Sequence, residues 1–168
     1  MSRGFVKEED QEEIPMVPPR ADLPSGIPNY VTPHGLQALI AERAQLQLDK
    51  EQLPPTTENE RRIAVNFIHA KLQLLQERIS SAKVVDLSKQ PVDEIRFGAS
   101  VTLEVNDEKK PQQYQIVGVD EANIKEKKIS FISPIAQLLI NKKVGDEAVL
   151  KLGTTKRIFT IRALHYPV

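Results

Sequence analysis

The stretch LQLDKEQLPPTTENERRIAVNF, residues 46–67, determines how the first half of the chain folds. Pro54 and Pro55 lack the backbone N–H that a helix interior requires, so a helix that enters this stretch must end before them. Thr57 follows, and Glu60 stands three residues later. This spacing predicts a capping box, in which the Thr57 hydroxyl bonds the Glu60 N–H and the Glu60 carboxylate bonds the Thr57 N–H. The stretch therefore predicts two helices that meet at a charged turn.

The helices on either side of this turn carry apolar residues at heptad spacing. Before the turn two of the repeating positions are basic: Leu36, Leu39, Arg43, Leu46, Lys50 and Leu53. After the turn every repeating position is apolar: Val65, Ile68, Leu72, Leu75, Ile79 and Ala82. Two helices of this kind, joined by a short turn, pack antiparallel along their apolar stripes. A threonine at 32 before a proline at 33 predicts the start of the first helix.

Beyond Lys83 the hydrophobic period changes from about 3.5 to about 2 residues, which indicates strands. One face carries Val101, Leu103 and Val105, a second carries Tyr114, Ile116 and Gly118, and two further strands, EAVLKL and RIFTIRAL, flank a GTTK turn. Between the strands, Ser133 and Pro134 predict a helix that closes at Gly145. The fold class is therefore α+β: an N-terminal antiparallel helical hairpin followed by a small antiparallel sheet with one short helix.

Three segments divide the chain on these patterns. Residues 1–30 form an extended, poorly packed arm that is rich in proline and acidic residues. Residues 31–83 form the coiled-coil hairpin, and residues 84–168 form the sheet domain.

Composition excludes several classes of function. The chain has 168 residues, of which 40% are hydrophobic, and its 23 basic residues balance its 23 acidic ones. This balance disfavours duplex DNA binding as the main activity. No apolar run approaches the roughly 18 residues of a membrane span, and the N-terminus lacks the apolar core of a secretory signal. The absence of cysteine excludes disulfides and thiolate zinc sites. We expect a cytoplasmic protein.

No self-contained catalytic site is apparent. The three histidines, His34, His69 and His165, are scattered, and none has the spacing of a metal site. The chain has neither a phosphate-binding glycine loop nor a G-x-S-x-G motif. At the turn, capping alone explains Glu58 and Glu60, because negative charge stabilises a helix N-terminus. The alternative is that these carboxylates reach a hard cation, such as Mg²⁺, held by another molecule.

Four segments of the second half carry a family resemblance. FGASVTLEV, YQIVGVDEANI, KISFISPIAQLLINKKVGD and IRALHY resemble the C-terminal domain of bacterial transcript cleavage factors, the Gre family of elongation factors, from Phe97 to about Tyr166. NYVTPHGLQAL at the start of the first helix resembles the beginning of that family's coiled coil. The resemblance spans roughly residues 29–168, and the arm before residue 29 lies outside it.

The resemblance implies a fold and a partner. In the family, a coiled coil enters the secondary channel of RNA polymerase, while an FKBP-like C-terminal domain grips the channel rim. Acidic tip residues then help the polymerase hold its Mg²⁺, and backtracked RNA is cleaved at its 3′ end. The chain itself would bind no cofactor, would contact DNA only indirectly and would act as a monomer.

The resemblance also assigns residues. Glu58 and Asn59 match the family tip, and Glu60 is the second candidate carboxylate. Arg61 and Arg62, beside the tip, are the residues expected near RNA. The residues expected to bind the partner are Asp120, Glu121, Ser130, Ser133 and Pro134. The Asp that the family pattern places three residues before the tip Glu falls on Pro55. The first helix is also shorter than in the usual factors, by two to three turns of about 5.4 Å each.

Three functions remain open. The tip promotes cleavage through Glu58 and Glu60, or the shortened hairpin occupies the channel without catalysing, or the chain is a general protein-interaction module. FKBP-like topology also raises prolyl isomerase activity. The sheet domain has few aromatic residues and no tryptophan with which to line an isomerase pocket, so this reading is disfavoured.

Overall fold

A computed structural model describes residues 15–106 and 108–168. After strand β1 (Asn29–Val31), the helices α1 (Pro33–Glu51) and α2 (Glu58–Ser81) follow, and strand β2 (Ala82–Val84) ends the first half. The second half contains β3 (Ser100–Val105), β4 (Gln112–Val117), β5 (Lys128–Ser130), α3 (Pro134–Leu139), β6 (Glu147–Leu152) and β7 (Thr155–His165). Two short 3₁₀ turns cover Leu87–Lys89 and Ile124–Glu126. The predicted α+β class is confirmed.

The two helices of the hairpin meet at the turn that the sequence predicts. The Thr32 side chain accepts a hydrogen bond from the Gly35 N–H at 2.9 Å, with Pro33 in the first position of α1. The α1 helix ends at Glu51, before the two prolines. Thr57 caps α2 by accepting from the Glu60 N–H at 3.2 Å. The other half of the predicted capping box differs, because the Glu60 carboxylate accepts from the Thr56 hydroxyl.

The two helices contact each other through the predicted apolar stripes. Leu39, Ile68 and Leu75 are buried, and the other stripe positions are at least half-buried. The Arg43 guanidinium donates to the Gln76 side chain across the pair at 3.0 Å. Arg43 is thus held at the helix interface while its neighbours in α1 face solvent.

The sheet of the second half has the order β5-β4-β3-β7-β6. Its β3–β4, β3–β7 and β6–β7 pairs are antiparallel, but β4 and β5 pair in parallel. The sheet is therefore mixed, and the prediction of a purely antiparallel sheet is wrong. The chain between β4 and β5 contains the Ile124–Glu126 turn, which brings β5 alongside β4 in the same direction. Val101, Leu103 and Val105 are fully buried, as their alternation predicts.

The short α3 packs Ala136 and Leu139 into the core of the sheet. Ser133 caps α3 by accepting from the Ala136 N–H at 3.3 Å, as predicted. The helix ends at Leu139, well before the predicted end at Gly145. Asn141 then takes a positive φ of 74°, and Gly145 lies in the turn before β6 with a φ of 94°.

The chain before α1 packs more closely than its composition indicates. Residues 15–28 contain no helix or strand, but Leu23 packs against the core of the sheet domain. β1 pairs in parallel with β2, an interaction that the sequence analysis did not predict. Tyr30 in β1 also stacks against Phe97 and Phe131, with ring centroids 5.9 and 5.7 Å away. The first half of the chain is thereby joined to the sheet.

Candidate functional site at the tip and base of the hairpin

The hairpin tip presents one free carboxylate. Glu58 and Glu60 occupy the first and third positions of α2, and both are exposed. Residues two apart on a helix lie about 200° apart around its axis, so the two side chains leave the helix on opposite sides. Glu60 is occupied by the Thr56 hydroxyl, whereas Glu58 has no hydrogen-bond or ion-pair partner among residues 15–106 and 108–168.

The basic residues beside the tip are also exposed. The Arg62 guanidinium donates to the Asn59 side chain at 2.8 Å, which holds Asn59 against the first turn of α2. Arg61 contributes its backbone N–H to Thr57 at 2.9 Å and extends its side chain into solvent. The tip thus combines the Glu58 carboxylate with two guanidinium groups within one helical turn.

Within the described parts of the chain, no group of three or more histidine, cysteine, aspartate or glutamate side chains is arranged to hold a metal ion. Pro55, at the position of the missing family Asp, carries no oxygen ligand on its side chain.

At the base of the hairpin, Asp120 lies between two arginines. Its side chain is only 6% exposed, and it accepts from Arg20 Nε at 3.1 Å. Arg78 Nη1 lies 3.6 Å from the second carboxylate oxygen. Arg20 also forms a bidentate pair with Glu42 at 2.8 and 3.0 Å. The hydrogen bond to Glu42 is the main reason that the pKa of Arg20 is raised further above its usual value, while burial opposes it.

Glu121 makes a second set of contacts at the start of α1. Its carboxylate, 8% exposed, accepts from the Thr32 hydroxyl at 2.5 Å and lies 3.3 Å from Lys128 Nζ. His34 Nδ1 lies 3.2 Å from the other carboxylate oxygen. A Cβ on Gly35 would come within 2.7 Å of that carboxylate, so a side chain at position 35 would displace it.

The remaining predicted partner-binding residues lie together around the start of α3. Ser130 ends β5 and accepts from the Ile132 N–H at 3.3 Å, and the Ser133 N–H bonds the Ser130 carbonyl at 2.9 Å. Pro134 is exposed at the first position of α3. Asp120 and Glu121 differ from these three, because both carboxylates are engaged within the chain. The prediction that any of the five contacts a partner stays a prediction.

The sequence analysis missed two members of the base. Arg20 belongs to the arm that was predicted to be poorly packed, and Arg78 lies outside the apolar stripe of α2. Neither residue carries a local pattern that signals a buried ion pair, since their partners stand 100 and 42 residues away from them in the chain.

Comparison with known proteins places this arrangement in a family. The protein-family model described as "Transcription elongation factor, GreA/GreB, C-term" matches residues 90–166. A transcription elongation factor GreA of Francisella philomiragia is 33% identical over 154 residues, which cover 81% of this chain and 95% of that protein. The chain belongs to the GreA/GreB family.

Other relatives match at higher identity but over less of their length. GreA of Hyphomonas neptunium is 40% identical, and the match covers 60% of this chain and 64% of that protein. For GreA of Maricaulis maris the identity is 44%, with 49% and 52% covered. The chain thus spans between half and two thirds of the length of these two relatives.

Solved structures of the family are similar to this chain at lower identity. The Thermus thermophilus GreA factor homolog 1 is 24% identical, with a TM-score of 0.39, over 81% of this chain and 97% of that one. A GreA/GreB factor from Nitrosomonas europaea is 17% identical, with a TM-score of 0.42, over 82% and 98%. The family assignment follows from the sequence identities. Within the described residues, no helix of this chain has the length and hydropathy to cross a membrane.

Proposed function

We propose that this chain is a Gre-type transcription elongation factor that binds bacterial RNA polymerase in the cytoplasm. The sheet domain, residues 84–168, has an FKBP-like fold and docks on the polymerase, and the coiled-coil hairpin, residues 31–83, enters the secondary channel. Family membership supports the partner. The single observation that carries the mode of action is a slender hairpin that ends in an unpartnered carboxylate, Glu58.

The docking surface that we propose is the turn around the start of α3, where Pro134 is exposed. Ser133 and Pro134 fix this turn by capping α3, and Ser130 fixes its other end at β5. Asp120 and Glu121 hold the hairpin against the sheet domain, because Asp120 pairs with Arg78 of α2 and Glu121 accepts from Thr32 before α1. A partner that contacts the turn therefore also fixes the direction in which the hairpin points.

The tip could either stimulate RNA cleavage or occupy the channel without catalysing. The positions of the tip carboxylates favour occupancy over strong stimulation of cleavage. Mg²⁺ positioning needs ligands that converge on one point, and displacement by about 1 Å already costs much of a catalytic effect. Here the Glu60 carboxylate accepts from the Thr56 hydroxyl, Pro55 replaces one family carboxylate, and among the described residues of the tip Glu58 is the carboxylate without a partner. Glu58 supplies one ligand oxygen toward the polymerase's Mg²⁺, while Arg61 and Arg62 lie where RNA phosphate would pass. The catalytic site stays that of the polymerase.

The test uses stalled, backtracked elongation complexes with Mg²⁺ and purified bacterial RNA polymerase. We expect the chain to bind these complexes and to shorten the RNA slowly at most. Glu58→Ala should remove any shortening that occurs, whereas Glu60→Ala should act mainly on the stability of α2. Rapid shortening that survives the loss of Glu58 contradicts the role of the tip, and failure to bind the complexes contradicts the proposal as a whole.

A general interaction module is the second candidate, in which the hairpin mediates dimerisation. The exposed Ile40, Leu48 and Ile63 on the hairpin favour it. Sedimentation over a range of concentrations separates the two, because the polymerase-binding model predicts a monomer at every concentration.

A further inference from the structure

The segment before the hairpin makes an ion-pair network that the family resemblance does not include. Arg20 stands in the proline-rich segment 15–28 and bonds Glu42 on α1 and Asp120 after β4 at the same time. Arg78 on α2 reaches the other oxygen of Asp120 and donates to the backbone carbonyl of Ala21. One short segment thereby contacts both helices and the sheet domain.

We propose that Arg20 is a positioning residue: the segment 15–28 is a clasp that fixes the angle between the hairpin and the sheet domain. This inference rests on the proposed function for its consequence at the polymerase, but the clasp itself is a property of the free chain. Arg20, Glu42, Arg78 and Asp120 are its members.

The clasp is needed because the other contacts act at the end of the hairpin. Thr32 and His34 contact Glu121, and Tyr30 packs against Phe131, but all of these contacts lie at or before the first turn of α1. Contacts confined to one end of a helix leave the far end free to rock. Glu42 stands nine residues beyond Pro33, about 13 Å along the helix axis at about 1.5 Å per residue. A second attachment at that distance from the first removes the rocking freedom. Units within a chain otherwise move relative to each other by default when their interface is small.

The chemistry of the clasp suits a rigid joint. A guanidinium offers donors in a fixed plane, so Arg20 can hold Glu42 by a bidentate pair while its Nε holds Asp120. The side chains of Arg20, Arg78 and Asp120 are 19%, 15% and 6% exposed, which protects them from screening by salt. Hydrogen bonding to Glu42 raises the pKa of Arg20 above its usual value, so the Arg20 guanidinium stays charged throughout the physiological range.

A small tilt at the base of the hairpin displaces its tip by several ångströms. The 19-residue α1 is about 28 Å long, so a tilt of about 10° at its base moves the tip by about 5 Å. Displacements of about 1 Å are already costly where a ligand must meet a metal ion. Loss of the clasp should therefore reduce what the tip does in the channel, while docking through the turn at Ser133 and Pro134 continues.

The experiment measures the angle directly in the full chain without polymerase. The chain contains no cysteine, so Gln73→Cys on α2 and Lys151→Cys on β6 accept a pair of nitroxide spin labels at exposed positions. Pulsed electron spin resonance then gives the distribution of distances between the labels. We expect one narrow distribution in the parent chain and a distribution at least about twice as wide in Arg20→Ala.

Three further variants keep the result interpretable. Glu42→Gln breaks the clasp from the helix side and should widen the distribution, and Arg20→Lys, which keeps the charge without the fork, should give an intermediate width. Arg43→Ala is the matched control, because Arg43 bonds only Gln76 inside the hairpin, and it should leave the width unchanged. Circular dichroism should show the same helix content in all of them.

A narrow distribution in both Arg20→Ala and Glu42→Gln overturns the clasp, whether or not the chain binds polymerase. Equal widening in Arg43→Ala also overturns it, because the effect would then come from general loosening of the hairpin. If the widening is seen but the parent chain does not bind polymerase, the clasp stands and the proposed function fails.

Discussion

Replacing Asp120 by asparagine removes the negative charge between two arginines without changing the size of the side chain. Breaking a buried ion pair costs about 3–5 kcal/mol, because it leaves an uncompensated charge. The cost here is smaller, since Arg20 and Arg78 keep 19% and 15% exposure and Arg20 retains Glu42. We expect a loss of about 2–3 kcal/mol in the free energy of unfolding. For a chain of this size the melting temperature should fall by about 4–12 °C.

The assay is urea unfolding followed by circular dichroism at pH 7, with thermal melts as a second readout. Asp49→Asn is the matched control, because Asp49 lies exposed on α1 and only accepts from Gln45 at 2.8 Å. That change should stay within about 0.5 kcal/mol of the parent. If Asp120→Asn costs no more than Asp49→Asn, the carboxylate does not hold the base together, and the reasoning on the ion-pair network is refuted.

Three other predictions address the core and its edges. Leu75→Ala should lower the unfolding free energy by about 2–5 kcal/mol, because Leu75 is fully buried between the helices, whereas Leu48→Ala on the exposed face should cost less than about 1 kcal/mol by urea unfolding. Gly118→Ala should shift amide resonances around Tyr30 and destabilise the chain, since a Cβ at 118 would meet the Tyr30 carbonyl oxygen at 2.5 Å; an unchanged spectrum contradicts that close approach. Burial raises the pKa of Tyr166 above its usual 10.0, so the contribution of this residue to stability is full below about pH 10 and is lost as the pH rises through the higher folded pKa. The stability of Tyr166→Phe should therefore fall less steeply with pH in this range. Parallel curves of unfolding free energy against pH for the parent and the variant contradict the prediction.

Local chemistry accounts for the parts of the fold that the sequence predicts. A cap at Thr32, Thr57 or Ser133 depends on residues within one turn, and the structure confirms all three. The apolar stripes and the alternation in β3 depend on spacing alone, and burial follows both. The tip residues were likewise predictable in position, because two prolines and a cap determine where the turn must lie.

Long-range pairing determines the parts of the fold that the sequence does not predict. The direction of β5 relative to β4 depends on how the intervening chain turns, and a three-residue strand carries no sign of it. The pairing of β1 with β2 joins residues about fifty positions apart. Arg20 and Asp120 stand 100 residues apart, so their ion pair is visible only after folding. The composition of residues 1–30 predicts a poorly packed arm, because composition gives no information about partners that stand far away in the sequence.

In the function that we propose, the tip of this hairpin lies inside RNA polymerase while the sheet domain is docked outside. A Pro55→Cys variant of the cysteine-free chain, carrying a short photo-crosslinker at the tip, tests this directly in stalled elongation complexes. If the tip enters the channel, we expect crosslinks to the lining of the secondary channel or to the RNA 3′ end. These crosslinks should be lost when excess unlabelled chain competes. Crosslinks confined to the outer surface of the polymerase, or none at all, would contradict it.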